Sequence, residues 1–299
     1  MKNPIRINTL MSAITLLTLL ASTAQSQERS ECALGQWSEH IVAAWRERSM
    51  LSTEMTECYA EKITSMDVAR ELRDEVISSL DELLPRVAYK VVGLDPVNAA
   101  LNGVDRPMVG AMYVGNFLPD GANISPDSAS VLITEPDILF RVSSAAINEA
   151  QSLEEVLPSI DRVYAFIEVP APLFNNNPAN PFLMQASNLL PRWGVIGESI
   201  AVSNTPEFLR SLETMQVSFV DGQGQILAQE RGDYLGGNPL NGVLVVLEEL
   251  RRKGEQLRPG DLISSGSYMP PILVAPGMFT KAVYTGIGGQ DLEVSASYD

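Results

Sequence analysis

Three carboxylates stand inside stretches that otherwise have the pattern of buried β-strands. Glu135 and Asp137 lie in an apolar run over 131–142, and Glu168 lies near the end of a second run over 163–169. Side chains alternate between the two faces of a strand, so Glu135 and Asp137 point the same way. If the two runs are neighbouring strands, the three carboxylates converge, and buried like charges need a cation. Oxygen ligands of this kind suit Mg²⁺ or Mn²⁺.

The same residues have a second interpretation. Glu135-Pro136-Asp137 is also turn material, because Pro136 cannot donate a ladder hydrogen bond and belongs at an edge or a bulge. Glu168, just before Val169 and Pro170, could be the end of a strand that faces water. In this alternative all three carboxylates are surface or turn residues and bind no metal.

Two other side chains bear on the chemistry. Lys90 interrupts an apolar strand pattern over 87–93, where a lysine is costly unless it is paired or catalytic. The alternative is an edge strand whose ammonium reaches water. His40, in a helical stretch, is the only histidine. This excludes a histidine-rich zinc site, a Ser-His-Asp triad and a Cys-His dyad, so a general base must be a carboxylate, a lysine, a tyrosine or water.

The first 26 residues have the pattern of a signal peptide. Lys2 and Arg6 precede an apolar run of about 12 residues and a small-residue cleavage site. That run is shorter than the roughly 20 residues that span a bilayer. We therefore expect export to the periplasm or the exterior, with no membrane contact after cleavage, and a retained N-terminal anchor is the alternative.

Charge and cysteine content bear on the partners and on a possible disulfide. Loss of the leader takes the formal net charge from −16 to about −18, which disfavours nucleic acid and anionic membranes as partners. Cys32 and Cys58 are the only cysteines. In an oxidising compartment a single pair favours a disulfide, and the alternative is two free buried thiols.

The elements that must position these residues follow from periodicity. Helical spacing over 34–48 and 65–84 predicts an N-terminal helical segment, which we place at 27–86. Most later segments have strand patterns, with a hairpin over 215–230 and a helix over 181–190. Many strands with few interleaved helices indicate an α+β fold with a mixed or antiparallel sheet, forming one domain over 87–299.

Several short motifs occur together in an order typical of one family. They are Tyr89-Lys-Val-Val-Gly93, 110–115, Glu135-Pro-Asp-Ile-Leu-Phe140, Phe166-Ile-Glu168, Gly236-Gly-Asn-Pro-Leu240, 254–261, Ser265-Gly-Ser267 and Pro276-Gly277. The chain resembles the fumarylacetoacetate hydrolase superfamily, and within it the 2-oxopent-4-enoate hydratase and 4-oxalocrotonate decarboxylase branch. Each motif is weak alone, and the order and spacing carry the resemblance over most of the chain from about residue 40 onward.

The resemblance implies a fold, an activity and site residues. The implied fold is the mixed β-sheet roll of the fumarylacetoacetate hydrolase C-terminal domain, here with N-terminal helices. The implied activity is that of a divalent-metal-dependent lyase, a hydratase or decarboxylase, acting on a small 2-oxo acid or its dienol. The resemblance also implies assembly as a homo-oligomer. The family's metal ligands fall on Glu135, Asp137 and Glu168, its substrate-side lysine on Lys90, and a substrate hydroxyl contact on Ser267.

The chain also departs from the family pattern. Asp137 stands where family hydratases have Glu, an extra Val precedes Gly93, and Val-Pro-Ala-Pro-Leu-Phe follows Glu168 in place of an Asp-Ser-Arg-like run. Met108 stands where many hydratases carry an acid. Two alternatives stay open: a non-catalytic metal- or small-acid-binding protein on the same fold, and a C–C hydrolase. The hydrolase is the weaker one because the chain has no suitable histidine.

Overall fold

The computed structural model describes residues 32–101, 103–174 and 180–299. The leader predicted at 1–26 lies outside the described residues. Within these ranges, no helix has both the length and the apolar character needed to cross a membrane.

The first part of the described chain is helical, as predicted. It contains α1 (Trp37–Glu47), α2 (Thr53–Lys62) and α3 (Met66–Asp81). Ser52 and Ser65 begin α2 and α3 by accepting hydrogen bonds from backbone N–H groups three residues ahead, which replaces bonds the first helical turn lacks. The predicted disulfide is present: Cys32 and Cys58 are bonded, with their Cα atoms 6.4 Å apart.

The other helices are short, apart from one. They are α4 (Pro96–Leu101), α5 (Leu153–Val156), α6 (Pro181–Ala186), α7 (Pro206–Thr214) and α8 (Asn241–Lys253). Short 3-10 turns occupy Leu34–Gln36, Val114–Asn116, Pro126–Ser128, Ala145–Glu149, Leu157–Ser159 and Gly232–Tyr234. The predicted helix over 181–190 is wrong in its second half, because Asn188, Leu189 and Leu190 have positive φ. Gly254 ends α8 with a φ of 69°, a left-handed conformation that glycine adopts at helix C-termini.

The strands form two sheets. They are β1 (Arg86–Val92), β2 (Met108–Tyr113), β3 (Phe117–Pro119), β4 (Ala122–Asn123), β5 (Ile133–Val142), β6 (Ile160–Val169), β7 (Trp193–Ala201), β8 (Gln216–Asp221), β9 (Ile226–Arg231), β10 (Leu262–Ser264), β11 (Ile272–Leu273), β12 (Met278–Ile287) and β13 (Gln290–Tyr298).

The larger sheet has eight strands in the described residues. Its order is β2-β1-β10-β5-β6-β7-β3, with β11 added beside β5. Pairs β1–β10 and β3–β7 are parallel and the others antiparallel, so the sheet is mixed, as predicted. The second sheet has the order β4-β13-β12-β8-β9 and contains the predicted hairpin β8–β9.

The main core fills the space between the two sheets. Strands β12 and β13 pack on β6 and β7, and buried side chains such as Ile138, Phe140, Ile167, Val294 and Tyr284 belong to one apolar cluster. A second cluster joins helices α1 to α3 to the segment around α6, including Leu173, Phe174 and Leu183. The helical segment therefore shares a core with the sheet domain that follows it.

Candidate functional site

The two carboxylate strands are neighbours. Strands β5 and β6 pair antiparallel, with Glu135 directly opposite Glu168 and Asp137 opposite Phe166. Alternation along the strands then places the three acids on one face of the sheet. Their exposed fractions are 9% for Glu135, 0% for Asp137 and 1% for Glu168. This burial contradicts the alternative in which these side chains face water.

Pro136 lies inside β5 rather than in a turn. Its carbonyl accepts a hydrogen bond from the Tyr268 N–H at 3.0 Å, on the side of the strand that faces away from β6. A residue in an antiparallel strand directs its N and O to the same side. The missing N–H of Pro136 therefore removes no bond from the β5–β6 ladder, which explains how a proline fits between two site residues.

Lys90 is brought to the same face by strand pairing. It lies opposite Ser264 of β10, and Ser264 lies opposite Leu139 of β5. Strand β1 has neighbours on both sides, and the Lys90 side chain is 1% exposed, so the edge-strand alternative is wrong. Its Nζ donates a hydrogen bond to Glu168 Oε1, forming a buried ion pair.

Asp137 is held by donors from the segment that follows β10. The Ser264 hydroxyl donates to Oδ2, and the Gly266 N–H donates to Oδ1 at 3.1 Å. The N–H of Ile138 also donates to Oδ1, at 2.5 Å. Burial, together with the nearby charge of Glu168, nevertheless raises the pKa of Asp137 to about 7.

Glu135 has the stronger shift of the two. Burial raises its pKa to about 8, and the charge of Glu168 acts in the same direction while Lys90 opposes it. Among these four side chains, three carboxylates face one ammonium, which leaves two negative charges uncompensated when all are ionised. A divalent cation carries the matching charge, and an all-carboxylate donor set is chemically suited to Mg²⁺ or Mn²⁺.

The carboxylates do not surround a common point as they stand. Across the described ranges 32–101, 103–174 and 180–299, no group of three Asp, Glu, His or Cys side chains is arranged to hold a metal ion. Glu168 is bonded to Lys90, and Asp137 is bonded to Ser264 and Gly266. The donors fit a hard cation in type, number and burial, and metal ligation by Glu135, Asp137 and Glu168 stays a prediction.

A cavity of about 80 Å³ opens beside this cluster. Lys90, Asp95, Glu135 and Ser267 are its charged and polar lining residues, and Met184, Leu189 and Leu190 are among its apolar ones. It suits a small ligand, since pockets for drug-sized ligands measure roughly 300–1,000 Å³. The Ser267 hydroxyl donates to the Met269 carbonyl at 2.6 Å, so Ser267 borders the cavity with its proton directed to its own chain.

Three residues that support the site were missed in the sequence. Ser264 donates a hydrogen bond to Asp137. Its position opposite Lys90 is known only once the register of β1 and β10 is known. Tyr284 of the second sheet donates to the Asp137 carbonyl, and also to the Phe166 carbonyl at 3.0 Å. Asn188 binds the edge of β2 with its side-chain amide. No sequence signal identifies the last two, because both act through backbone atoms remote in the chain.

The comparisons with known proteins agree with this geometry. No protein-family model matches the chain. The chain is 26% identical over 214 residues to the 2-keto-4-pentenoate hydratase of Paraburkholderia xenovorans, covering 71% of this chain and 77% of the relative. It is 22% identical over 204 residues to a 4-oxalocrotonate decarboxylase of Pseudomonas putida, covering 67% and 75%.

A solved structure extends the likeness to the whole fold. The 4-oxalocrotonate decarboxylase from Pseudomonas putida G7, complexed with magnesium and adipate, matches with a TM-score of 0.74 and 19% identity over 92% of this chain and 98% of that one. The chain resembles the hydratase and decarboxylase branch of the fumarylacetoacetate hydrolase superfamily. The fumarylacetoacetate hydrolase-like α+β roll with N-terminal helices is thereby confirmed as its fold.

Proposed function

We propose that the protein is a divalent-metal-dependent lyase, a hydratase or decarboxylase, that acts on a small 2-oxo acid or its dienol. The observation that carries this proposal is the set of three buried carboxylates and one buried lysine on a single sheet face, beside a small cavity. The curated relatives support it, because their names describe a hydratase of 2-keto-4-pentenoate and a decarboxylase of 4-oxalocrotonate.

In this proposal Glu135, Asp137 and Glu168 hold Mg²⁺ or Mn²⁺. The decarboxylase from Pseudomonas putida G7 is itself complexed with magnesium. When bound, such an ion supplies positive charge that compensates the acids and polarises the carboxylate and 2-oxo oxygens of a substrate. Ser264 and Gly266 orient Asp137 for this role through their hydrogen bonds.

Lys90 is the residue we assign to proton transfer. Its Nζ borders the cavity and is bonded to Glu168 Oε1, so a proton can move at these two atoms towards or away from a substrate carbon. Ser267, also on the cavity wall, positions the substrate if its hydroxyl turns from Met269. The apolar residues of the cavity wall exclude water from the reacting atoms.

A second candidate function is a non-catalytic binding protein for a metal or a small acid. The observation that favours it is the closed Lys90–Glu168 ion pair, which occupies one of the three proposed metal ligands. A C–C hydrolase stays the weakest option, because His40 bonds Tyr59 in the helical segment and does not line the cavity.

The test is turnover of 2-keto-4-pentenoate and 4-oxalocrotonate with and without Mg²⁺. We expect Mg²⁺-dependent consumption of at least one of them, lost in Glu168→Gln and retained in Glu248→Gln, an exposed glutamate on α8. Equal turnover in wild type and Glu168→Gln would remove this site from consideration. Binding of an acid without turnover would favour the binding protein.

We also propose that the protein is exported and assembles as a homo-oligomer. Support for export comes from the leader pattern at 1–26 and from the Cys32–Cys58 disulfide, since disulfides persist in oxidising compartments. Fractionation of cells that express the full chain tests the location. Light scattering of the purified protein tests the assembly, and a monomeric mass would contradict it.

A further inference from the structure

One turn of backbone beside the cavity has an uncommon conformation. Asn188, Leu189 and Leu190 follow α6 with φ values of 61°, 56° and 60°. Residues with a side chain avoid this left-handed region, and three in succession are rarer still. Such strain persists only where the surroundings hold it, and it concentrates at functional sites.

The sheet holds this turn from one side. The Asn188 side chain accepts from the Ala111 N–H at 2.6 Å and donates to the Ala111 carbonyl at 2.9 Å, as a neighbouring strand would at the open edge of β2. Gly110 makes the approach possible, because a Cβ at that position would lie 2.8 Å from the Asn188 carbonyl oxygen.

The helical segment holds the turn at both ends. Trp37 of α1 donates through its indole to the Ala186 carbonyl at 2.9 Å, just before the turn. Trp45 of the same helix donates to the Pro191 carbonyl at 3.1 Å, just after it. The turn is therefore fixed by the sheet and by α1, and it is not a free loop.

What the turn presents to the cavity is apolar. Leu189 and Leu190 line the wall together with Met184, and the carboxylates that share the cavity are Asp95 and Glu135. Among the described residues that line the cavity, Lys90 is the only basic one, and it is already bonded to Glu168. A second carboxylate on a ligand would be buried against leucine and methionine without a partner, which is strongly unfavourable.

We propose that the turn Asn188–Leu190 is the specificity element of this cavity. It selects a 2-oxo acid whose far end is short and apolar over a 2-oxo dicarboxylic acid of the same length. The inference rests on the proposed function, which places the carboxylate and 2-oxo group of the substrate beside Lys90 and the three proposed metal ligands.

The test is calorimetric binding of 2-oxopentanoate and 2-oxoglutarate in the presence of Mg²⁺. The two acids have the same chain length and differ by the second carboxylate. We expect wild type to bind 2-oxopentanoate at least ten-fold more tightly. Met184→Arg, which adds a cation to the apolar wall, should reduce or reverse this ratio. Met66→Arg is the matched control, because Met66 packs in the same small cluster without lining the cavity.

The outcomes separate this inference from the proposed function. Equal affinities in wild type, tighter binding of 2-oxoglutarate, or binding of neither acid overturns the inference, and the wild-type ratio decides even if Met184→Arg does not fold. An unchanged ratio in folded Met184→Arg also overturns it. A titration with Mg²⁺ alone tests the proposed metal site, so loss of Mg²⁺ binding with intact discrimination between the acids counts against the proposed function only.

Discussion

Lys90 on β1 and Glu168 on β6 form a buried ion pair although two strands, β10 and β5, separate them in the sheet. Three strand spacings of about 4.8 Å separate them, and Glu168 lies four residues along β6 from the residue level with Lys90, so in a flat sheet their backbones would lie roughly 19 Å apart. Two side chains of this length cannot span that distance, so the sheet must curl around the site. The curl brings Lys90 over the carboxylates of β5 and β6.

Removal of the lysine tests this relationship. Lys90→Met should lower the free energy of unfolding of the metal-free protein by about 3–5 kcal/mol, because it leaves Glu168 buried without a partner. Added Mg²⁺ should restore more stability to this variant than to wild type, since the acids then lack any other cation. Urea unfolding with and without Mg²⁺ measures both effects, and Lys281→Met, which breaks a half-exposed pair with Glu293, is the control. Equal losses in the two variants would contradict the account.

The stability of the metal-free protein should fall as the pH rises. Burial raises the pKa of Glu135 from 4.5 to about 8, so the folded state holds a proton that the unfolded chain releases near pH 4.5. This contribution to stability is complete below the unfolded value and is lost as the pH rises towards 8. Since burial also raises the pKa of Asp137 to about 7, we expect the two acids together to lower the free energy of unfolding by roughly 6 kcal/mol between pH 5 and pH 8.

Urea denaturation across that pH range measures this loss. Glu135→Gln has no proton to release at that position and should make the profile shallower, with the share of Asp137 remaining, while Glu248→Gln should follow wild type. A flat wild-type profile would show that the two acids do not titrate as their burial requires.

The left-handed turn gives a matched pair of variants. Asn188→Ala removes both hydrogen bonds to Ala111 and should cost about 2–4 kcal/mol, because a buried N–H and a buried carbonyl lose their partners. Asn188→Gly removes the same bonds but accepts positive φ without a Cβ penalty, so it should be more stable than Asn188→Ala by about 1 kcal/mol. Chemical denaturation compares the two, and an alanine variant as stable as the glycine variant would argue against strain at this turn.

Tyr284 ties the second sheet to the site. Tyr284→Phe removes the hydroxyl that donates to the carbonyls of Asp137 and Phe166. The loss should cost about 1–2 kcal/mol of stability. Since the Asp137 backbone then loses one support, we also expect weaker Mg²⁺ binding, which calorimetry measures. Tyr298→Phe is the control, because Tyr298 bonds Thr134 and none of the proposed ligands. Mg²⁺ affinity reduced equally in both variants would assign the effect to general loss of stability.

The site was predictable where local pattern was enough. Strand alternation put Glu135 and Asp137 on one face, and antiparallel pairing of β5 with β6 added Glu168. The hairpin β8–β9 followed from Asp221 and Gly222 between two strand patterns, and the pair Cys32–Cys58 from their number and the predicted export. These inferences need only the period of a strand or the chemistry of a turn.

The rest depends on contacts between distant segments. The helix predicted over 181–190 stops at Ala186, because the Asn188 contact with Ala111 and the glycine at 110 favour a left-handed turn over helix continuation. Helices α2 and α7 were also missed, although the N-cap Thr205 and Pro206 mark the start of α7 in the sequence. The edge position considered for Lys90 was wrong because β10, which comes more than 170 residues later, pairs with β1.

The central claim is that Glu135, Asp137 and Glu168 hold one divalent ion, and calorimetric titration of Mg²⁺ and Mn²⁺ at pH 8 tests it most directly. The account predicts one ion bound per chain, with binding abolished in Asp137→Asn and preserved in Asp127→Asn, which replaces an aspartate in the 3-10 turn Pro126–Ser128. No binding to wild type, or equal binding to wild type and folded Asp137→Asn, would contradict it.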